Sequence, residues 1–157
     1  MLTRALMTKL LFVAHCPSPN TRVIRDAALN ALSQMDGVAV RSRDSLQAGA
    51  TDVQWCDALA LGTTENFGAM AGRTKDFFER IYYPLMDQRP ALPVVCYVRA
   101  GEDGVGTVQG IERIVTGLKW RWAQPPLVLQ GAYQDDFAVR AATLLETLAA
   151  GTSAGIF

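Results

Sequence analysis

Five short apolar runs, each separated from the next by a stretch of different pattern, constrain this 157-residue chain more than any other feature. They fall at residues 10–14, 38–40, 58–61, 92–98 and 127–129. The runs are too short to span a bilayer and lack the polar alternation of a half-exposed strand. They read as strands of a parallel sheet covered on both faces. Between and after them, apolar residues recur at helical spacing: Ile24, Ala28, Leu32 and Met35; Met70, Thr74 (through its methyl), Phe77, Phe78 and Ile81; Val108, Ile111, Val115 and Leu118; Ala141, Leu145 and Leu148. Strand then helix, repeated along a chain, predicts an α/β three-layer sandwich: a five-stranded parallel sheet of order 2-1-3-4-5 with helices on both faces.

The punctuation agrees with that reading. Asn20 or Thr21 is the expected cap of the first helix, Asp36 and Gly37 its end, Pro84 the stop of the third, and Asp135 or Asp136 the cap of the last. Asp76 and Arg80 form a favourable pair one turn apart. Residues 41–52 carry the least pattern, ahead of a single helical turn at 53–56. The whole of 1–157 is expected to be one domain, with 1–6 a loose extension before Met7 and 151–157 a frayed tail.

Three loops at strand C-terminal ends are chemically loaded: 15–21, 62–68 and 100–106. In the order 2-1-3-4-5 the strands that feed them are neighbours, so the loops meet beside the switch point. The middle loop holds Thr63, Thr64, Glu65, Asn66, Phe67 and Gly68. Two hydroxyls, a carboxylate, an amide and one ring suit a flat, polar-edged heterocycle better than a metal or a bare phosphate, and no metal site is expected. Phe67 stands in a polar, glycine-flanked setting where a ligand can reach it.

The first loop admits two readings. Cys16 and Arg22 have the C-x5-R spacing of a low-molecular-weight tyrosine phosphatase. Against it, Pro17 and Pro19 remove backbone donors, Val23 follows the arginine, and Phe137 stands where an Asp-Pro acid would need proline. Alternatively, Ser18, Asn20 and Thr21 form a monophosphate cradle at a helix N-terminus, with Arg22 on the rim. Plain helix capping explains Asn20 and Thr21 but not the whole cluster. In the third loop, Gly104, Gly106 and Gly110 suggest either a tight strand-to-helix turn or the edge of a ligand site. His15, the one histidine, has no nucleophile and acid spaced to make a triad, so a local hydrogen-bonding role is expected. Trp120 and Trp122 read as packing beside the last strand.

Composition narrows the classes. Lys+Arg and Asp+Glu are both 15, giving zero formal net charge, and the basic residues do not cluster, which disfavours nucleic acid as a partner. No apolar run is long enough for a membrane span. Cys16, Cys56 and Cys96 form an odd set without C-x-x-C spacing, as expected of reduced thiols in a cytoplasmic protein.

With these loops in place, the chain resembles the flavodoxin-like superfamily and, within it, the small NAD(P)H-dependent FMN reductases and quinone reductases. The segment from Gly62 to Phe78 is similar to that family's G-T-P-x-x-F-G-x-M-x-G-x-x-K-x-F, with Thr64 in place of proline. Ser18, Pro19, Asn20 and Thr21 resemble its phosphate loop, and 100–106 its third flavin loop. The resemblance implies a flavoprotein oxidoreductase in which FMN carries the chemistry, with no catalytic side chain required. A hydride would pass from NADH or NADPH to a quinone or other small acceptor. It implies that Ser18, Asn20 and Thr21 hold the FMN phosphate. Thr63, Thr64, Glu65, Asn66, Phe67 and Gly68 would line the isoalloxazine, and Ala100, Gly101 and Gly104 would cover its other edge.

The rival is a flavodoxin-type electron carrier. Such carriers are typically strongly acidic, unlike this chain, and their third loop often holds an aromatic that 100–106 lacks. Oligomeric state stays open between monomer and homodimer, with Tyr82, Tyr83 or Trp120 available to a partner copy.

Overall fold

Burial on both sides accounts for the apolar runs. A computed structural model describes residues 6–157, so the extension expected at 1–6 lies, apart from Leu6, outside the described residues. In chain order the elements are β1 (Thr8–Ala14), α1 (Pro19–Ser33), β2 (Val38–Asp44), α2 (Ala50–Trp55), β3 (Ala58–Asn66), β4 (Ala69–Met70), α3 (Gly72–Leu85), β5 (Pro93–Ala100), α4 (Val105–Gly117), β6 (Arg121–Trp122), β7 (Leu127–Gln130) and α5 (Asp136–Ser153). The parallel sheet runs β2-β1-β3-β5, and the outer edge of β5 pairs with β6 at one end and β7 at the other. With β5 and β7 as the fourth and fifth apolar runs, this is the expected order; β6 and the antiparallel β4 are additions to it.

Alternate strand residues serve opposite faces. Leu11, Val13, Leu59, Leu61, Val94, Cys96 and Val98 join Val53 of α2, Phe77, Phe78 and Ile81 of α3, and Ile111 and Val115 of α4. Leu10, Phe12, Ala58, Ala60, Val95 and Tyr97 join Ile24, Ala28 and Leu32 of α1 and Phe137, Ala141, Leu145 and Leu148 of α5. Each fully buried Leu or Phe contributes roughly 1.5–3 kcal/mol of burial free energy, so the two cores fix which face each helix takes.

Several element ends differ from expectation, each for a local reason. Ser18, not Asn20 or Thr21, caps α1: its side chain accepts from the Thr21 amide, and Pro19 takes the first helical position, where a missing N–H costs nothing. β2 continues to Asp44 because β1 pairs with it to its own last residue. Met70 belongs to β4 rather than α3, and Pro84 lies inside α3, in its last turn, rather than ending it. Asp135 takes the expected N-cap position of α5 but is in helical conformation and makes no side-chain cap bond.

The tail is not frayed. α5 runs to Ser153, and Gly155 at φ 71° turns the chain so that the Ile156 amide reaches the Gly151 carbonyl at 2.9 Å and the Gly155 amide that of Thr152 at 3.1 Å. Phe157 then folds back over Gly151 onto the core beneath α1 and α5.

Of the segment expected to carry the least pattern, 41–44 belong to β2, and the chain from 45 through α2 to 56 is held by two distant arginines. Arg80 donates to the carbonyls of Ser45 and Ala48, both at 2.7 Å, and to Asp76. Arg89 donates to the carbonyls of Val53, Gln54 and Cys56. These are carbonyls around α2 that the sheet does not pair.

Candidate functional site

Loops 15–18 and 101–104 and the β3–β4 hairpin converge at the C-terminal edge of the sheet, but the hairpin is built differently from the loop expected at 62–68. β3 does not stop at Leu61. Gly62 pairs with Ala14 on one side and Tyr97 on the other, and Thr63 and Thr64 continue the ladder against Val98 and Arg99. Gly62 is a strand glycine because the Tyr97 ring lies across it and leaves no room for a Cβ. Only Phe67 and Gly68 remain as turn, joining β3 to β4 with Glu65 opposite Met70 and Asn66 opposite Ala69.

This divides the residues expected around a ring. Thr63 is buried, its hydroxyl 2.7 Å from that of Thr74 at the start of α3. Thr64 is also buried, and its hydroxyl donates to the Asn66 side chain at 2.9 Å. These two shape the hairpin from beneath. Asn66, Phe67 and Gly68 are exposed. Phe67 is fully so, at φ 53°, a left-handed conformation that disfavours a bulky side chain. The Glu65 carboxylate accepts the Glu102 amide at 3.2 Å and ties the hairpin to the third loop.

The third loop leaves β5 at the buried Ala100, passes Gly101 on the surface and enters α4 through Gly104 at φ 70°. The glycines here make room for the hairpin. A Cβ on Gly106 would overlap the Gly68 carbonyl oxygen, and one on Gly110 would press the Met70 methyl at 3.1 Å. Close packing of β4 on α4 explains the spacing of Gly106 and Gly110.

The first loop is a closed unit. The Ser18 amide donates to the Thr21 hydroxyl at 2.9 Å, that hydroxyl reaches the Ser18 carbonyl at 2.9 Å, and the Thr21 amide donates to the Ser18 hydroxyl at 3.2 Å. Thr21 is buried, so its hydroxyl keeps the loop's shape. Ser18 is half-buried and Asn20 exposed, at a helix end where Pro19 has no N–H and the Ser18 and Thr21 amides are already paired, leaving the Asn20 amide and the positive end of α1 to favour an anion. The His15 amide donates to the Gly62 carbonyl at 2.9 Å, fastening this loop to β3.

A recess of about 330 Å³ opens beside it, lined by His15, Cys16, Pro17, Asp44 and Arg73. Burial, and then the Arg73 guanidinium, lower the pKa of His15 and favour its neutral form. Burial raises the pKa of Cys16, and of the nearby cations Arg25 opposes this more than Arg22 does. A thiol held protonated is a poor nucleophile, which counts against the phosphatase reading. Sequence reasoning missed Arg73 and Asp44. Arg73 sits in the first turn of α3 and, among the described residues, makes no ion pair. A cation at the positive end of a helix is out of place unless something nearby uses it, and that was the available signal.

No family model matches the chain. A flavodoxin of Aquifex aeolicus is 25% identical over 112 residues, covering 71% of this chain; the chain thus spans 60% of the length of that curated relative. Among solved structures, an archaeal flavodoxin superposes with a TM-score of 0.78 at 15% identity, covering 92% of this chain and 99% of the other. The rubredoxin oxygen:oxidoreductase of Desulfovibrio gigas superposes with a TM-score of 0.70 at 12% identity, covering 96% of this chain and 37% of that one. The fold is therefore that of a flavodoxin-like α/β sandwich. Among the described residues, no helix is long and apolar enough to cross a membrane.

Proposed function

We propose that this chain binds FMN at the converging loops and works as a redox protein, passing reducing equivalents from NADH or NADPH to a quinone or other small acceptor. The observation that carries the reading is Phe67. A fully exposed ring in a left-handed backbone conformation sacrifices both burial and backbone energy. Stacking on a flat ligand between the hairpin and the third loop would recover the burial and offset the backbone cost.

The donor set fits FMN. Ser18 and Asn20 at the start of α1, with Arg22 and Arg73 nearby, would hold the phosphate. The Asn66–Gly68 rim and Gly101 would take the ring edges, while Thr21, Thr63, Thr64, Ala100 and Gly104 set the shape of those loops from within. When bound, FMN would supply hydride and electron transfer; the protein would orient the ring and leave its edge open to a second reactant. The balanced charge supports a small-molecule acceptor over a steered protein encounter. Three unpaired thiols support a reducing, cytoplasmic setting.

The electron-carrier reading stands second, favoured by the flavodoxin similarity. Titration of the purified protein with FMN is the first test, with saturable uptake expected; protein that takes up none overturns the proposal. Anaerobic NADPH or NADH then separates the readings. Rapid bleaching supports the reductase, and a yellow protein that bleaches only with dithionite supports the carrier.

A further inference from the structure

The three glycines of 104–110 have different tasks, and one bears on the site without facing it. Gly104 supplies the left-handed entry to α4 at φ 70°. Gly110 admits the Met70 methyl. Gly106 does neither: its φ is outside the left-handed region, and what its missing side chain admits is backbone. One of its Cα–H bonds lies along the direction a Cβ would take, which points at the Gly68 carbonyl oxygen. A Cα–H···O contact and the positive end of α4 both favour that carbonyl where it is. Because backbone faces backbone, no rotamer change can relieve a substitution there.

Gly68 follows Phe67, and the two residues are the whole of the turn. The turn's other ties include the two β4 pairings, the Thr64–Asn66 bond and the Glu65–Glu102 bond. We propose that Gly106 is a positioning residue: by admitting the Gly68 carbonyl against the first turn of α4, it sets the height and peptide orientation of the Phe67–Gly68 turn, and through the turn the pose of the ring that packs on Phe67. The second half of this inference rests on the FMN reading; the first does not.

The test uses the full chain without added cofactor, then with FMN. Gly106→Ala is compared with Gly72→Ala, an exposed glycine at the start of α3 with nothing within 4 Å of its Cβ direction. In the cofactor-free protein, amide hydrogen exchange at residues 65–70 should speed up on the order of tenfold in Gly106→Ala while strands β1 and β5 keep their protection, and Gly72→Ala should match wild type. FMN affinity should fall about tenfold in Gly106→Ala alone, with a shifted visible absorption band and midpoint potential. Unchanged exchange at 65–70 overturns the positioning role. Faster exchange with unchanged FMN affinity, spectrum and potential overturns its link to the ring. Failure of the wild type to bind FMN removes the proposed function, yet the exchange comparison still decides the first half. If Gly106→Ala does not fold, the Gly106 Cα protons of the wild type decide the first half: contact with the Gly68 carbonyl oxygen should move one of the pair downfield of the other glycines at helix starts, and a pair without that shift overturns the positioning role.

Discussion

The first loop and the hairpin turn stand at the same end of the sheet and are held in opposite ways. Ser18 and Thr21 satisfy each other in a closed ring of hydrogen bonds, and the loop depends on the rest of the molecule chiefly through the His15–Gly62 bond. The turn at Phe67–Gly68 has no such internal support. It sits where two strand pairings, the Glu102 amide and a glycine-lined helix place it, with its one large side chain in solvent. A self-supporting loop couples shape to stability, so damage to one is damage to the other. A turn held by its neighbours can exchange its side chain at little cost to the fold, which leaves that side chain free to serve a ligand.

Four substitutions probe this contrast. The largest effect is expected at Gly62, which underlies both regions. Gly62→Ala drives a methyl into the Tyr97 ring and should lower stability by about 1–3 kcal/mol in urea denaturation, the range for overpacking a filled core. Next is Ser18→Ala, which removes the α1 cap at a cost of about 1 kcal/mol. Stability and FMN affinity should fall together, and loss of one without the other would break the comparison on the first-loop side. Phe67→Gly is expected to part the two quantities. Relief of the left-handed strain should leave stability unchanged or raised by up to about 1 kcal/mol. FMN affinity should drop about tenfold, the scale of one lost aromatic stack. A parallel loss of stability would mean that the ring supports the fold after all.

The smallest effect is a pH dependence at His15. Its folded pKa lies below the ordinary value of 6.5, so the unfolded chain binds the proton more readily. The folded state is therefore penalised as pH falls from about 6.5 through the lower folded pKa, and the penalty is absent above that window. In His15→Gln, the urea midpoint between pH 5 and 8 should lose this part of its slope.

The strand interiors were legible because a sheet covered on both faces needs unbroken apolar runs, and Leu10–Ala14 and Ala58–Leu61 supply them. The continuation of β3 past Leu61 was not. Gly62 and the polar residues after it look like a loop until one knows that Tyr97, brought alongside from a distant part of the chain, needs the space. The same holds for 45–56, whose order comes from Arg80 and Arg89 more than thirty residues away. Phe67 and Gly68 stood out because they interrupt the pattern locally. The capping box was half-legible: Ser18 and Thr21 were noticed, but Pro19 between them disguised where the helix begins. Arg73 reads locally as one more exposed charge on α3.

The two margins of the sheet carry a separate consequence. One is β2, where Arg41 lies 4.1 Å from the Trp55 ring and 3.0 Å from Asp52, with Arg43 3.7 Å from the same carboxylate. The other is split into β6 and β7 by residues 123–126, which include Pro125 and Pro126. Charge guards the first against added strands, and interruption guards the second. Among the described residues neither margin offers a long, flat, apolar template, the feature on which added strands grow.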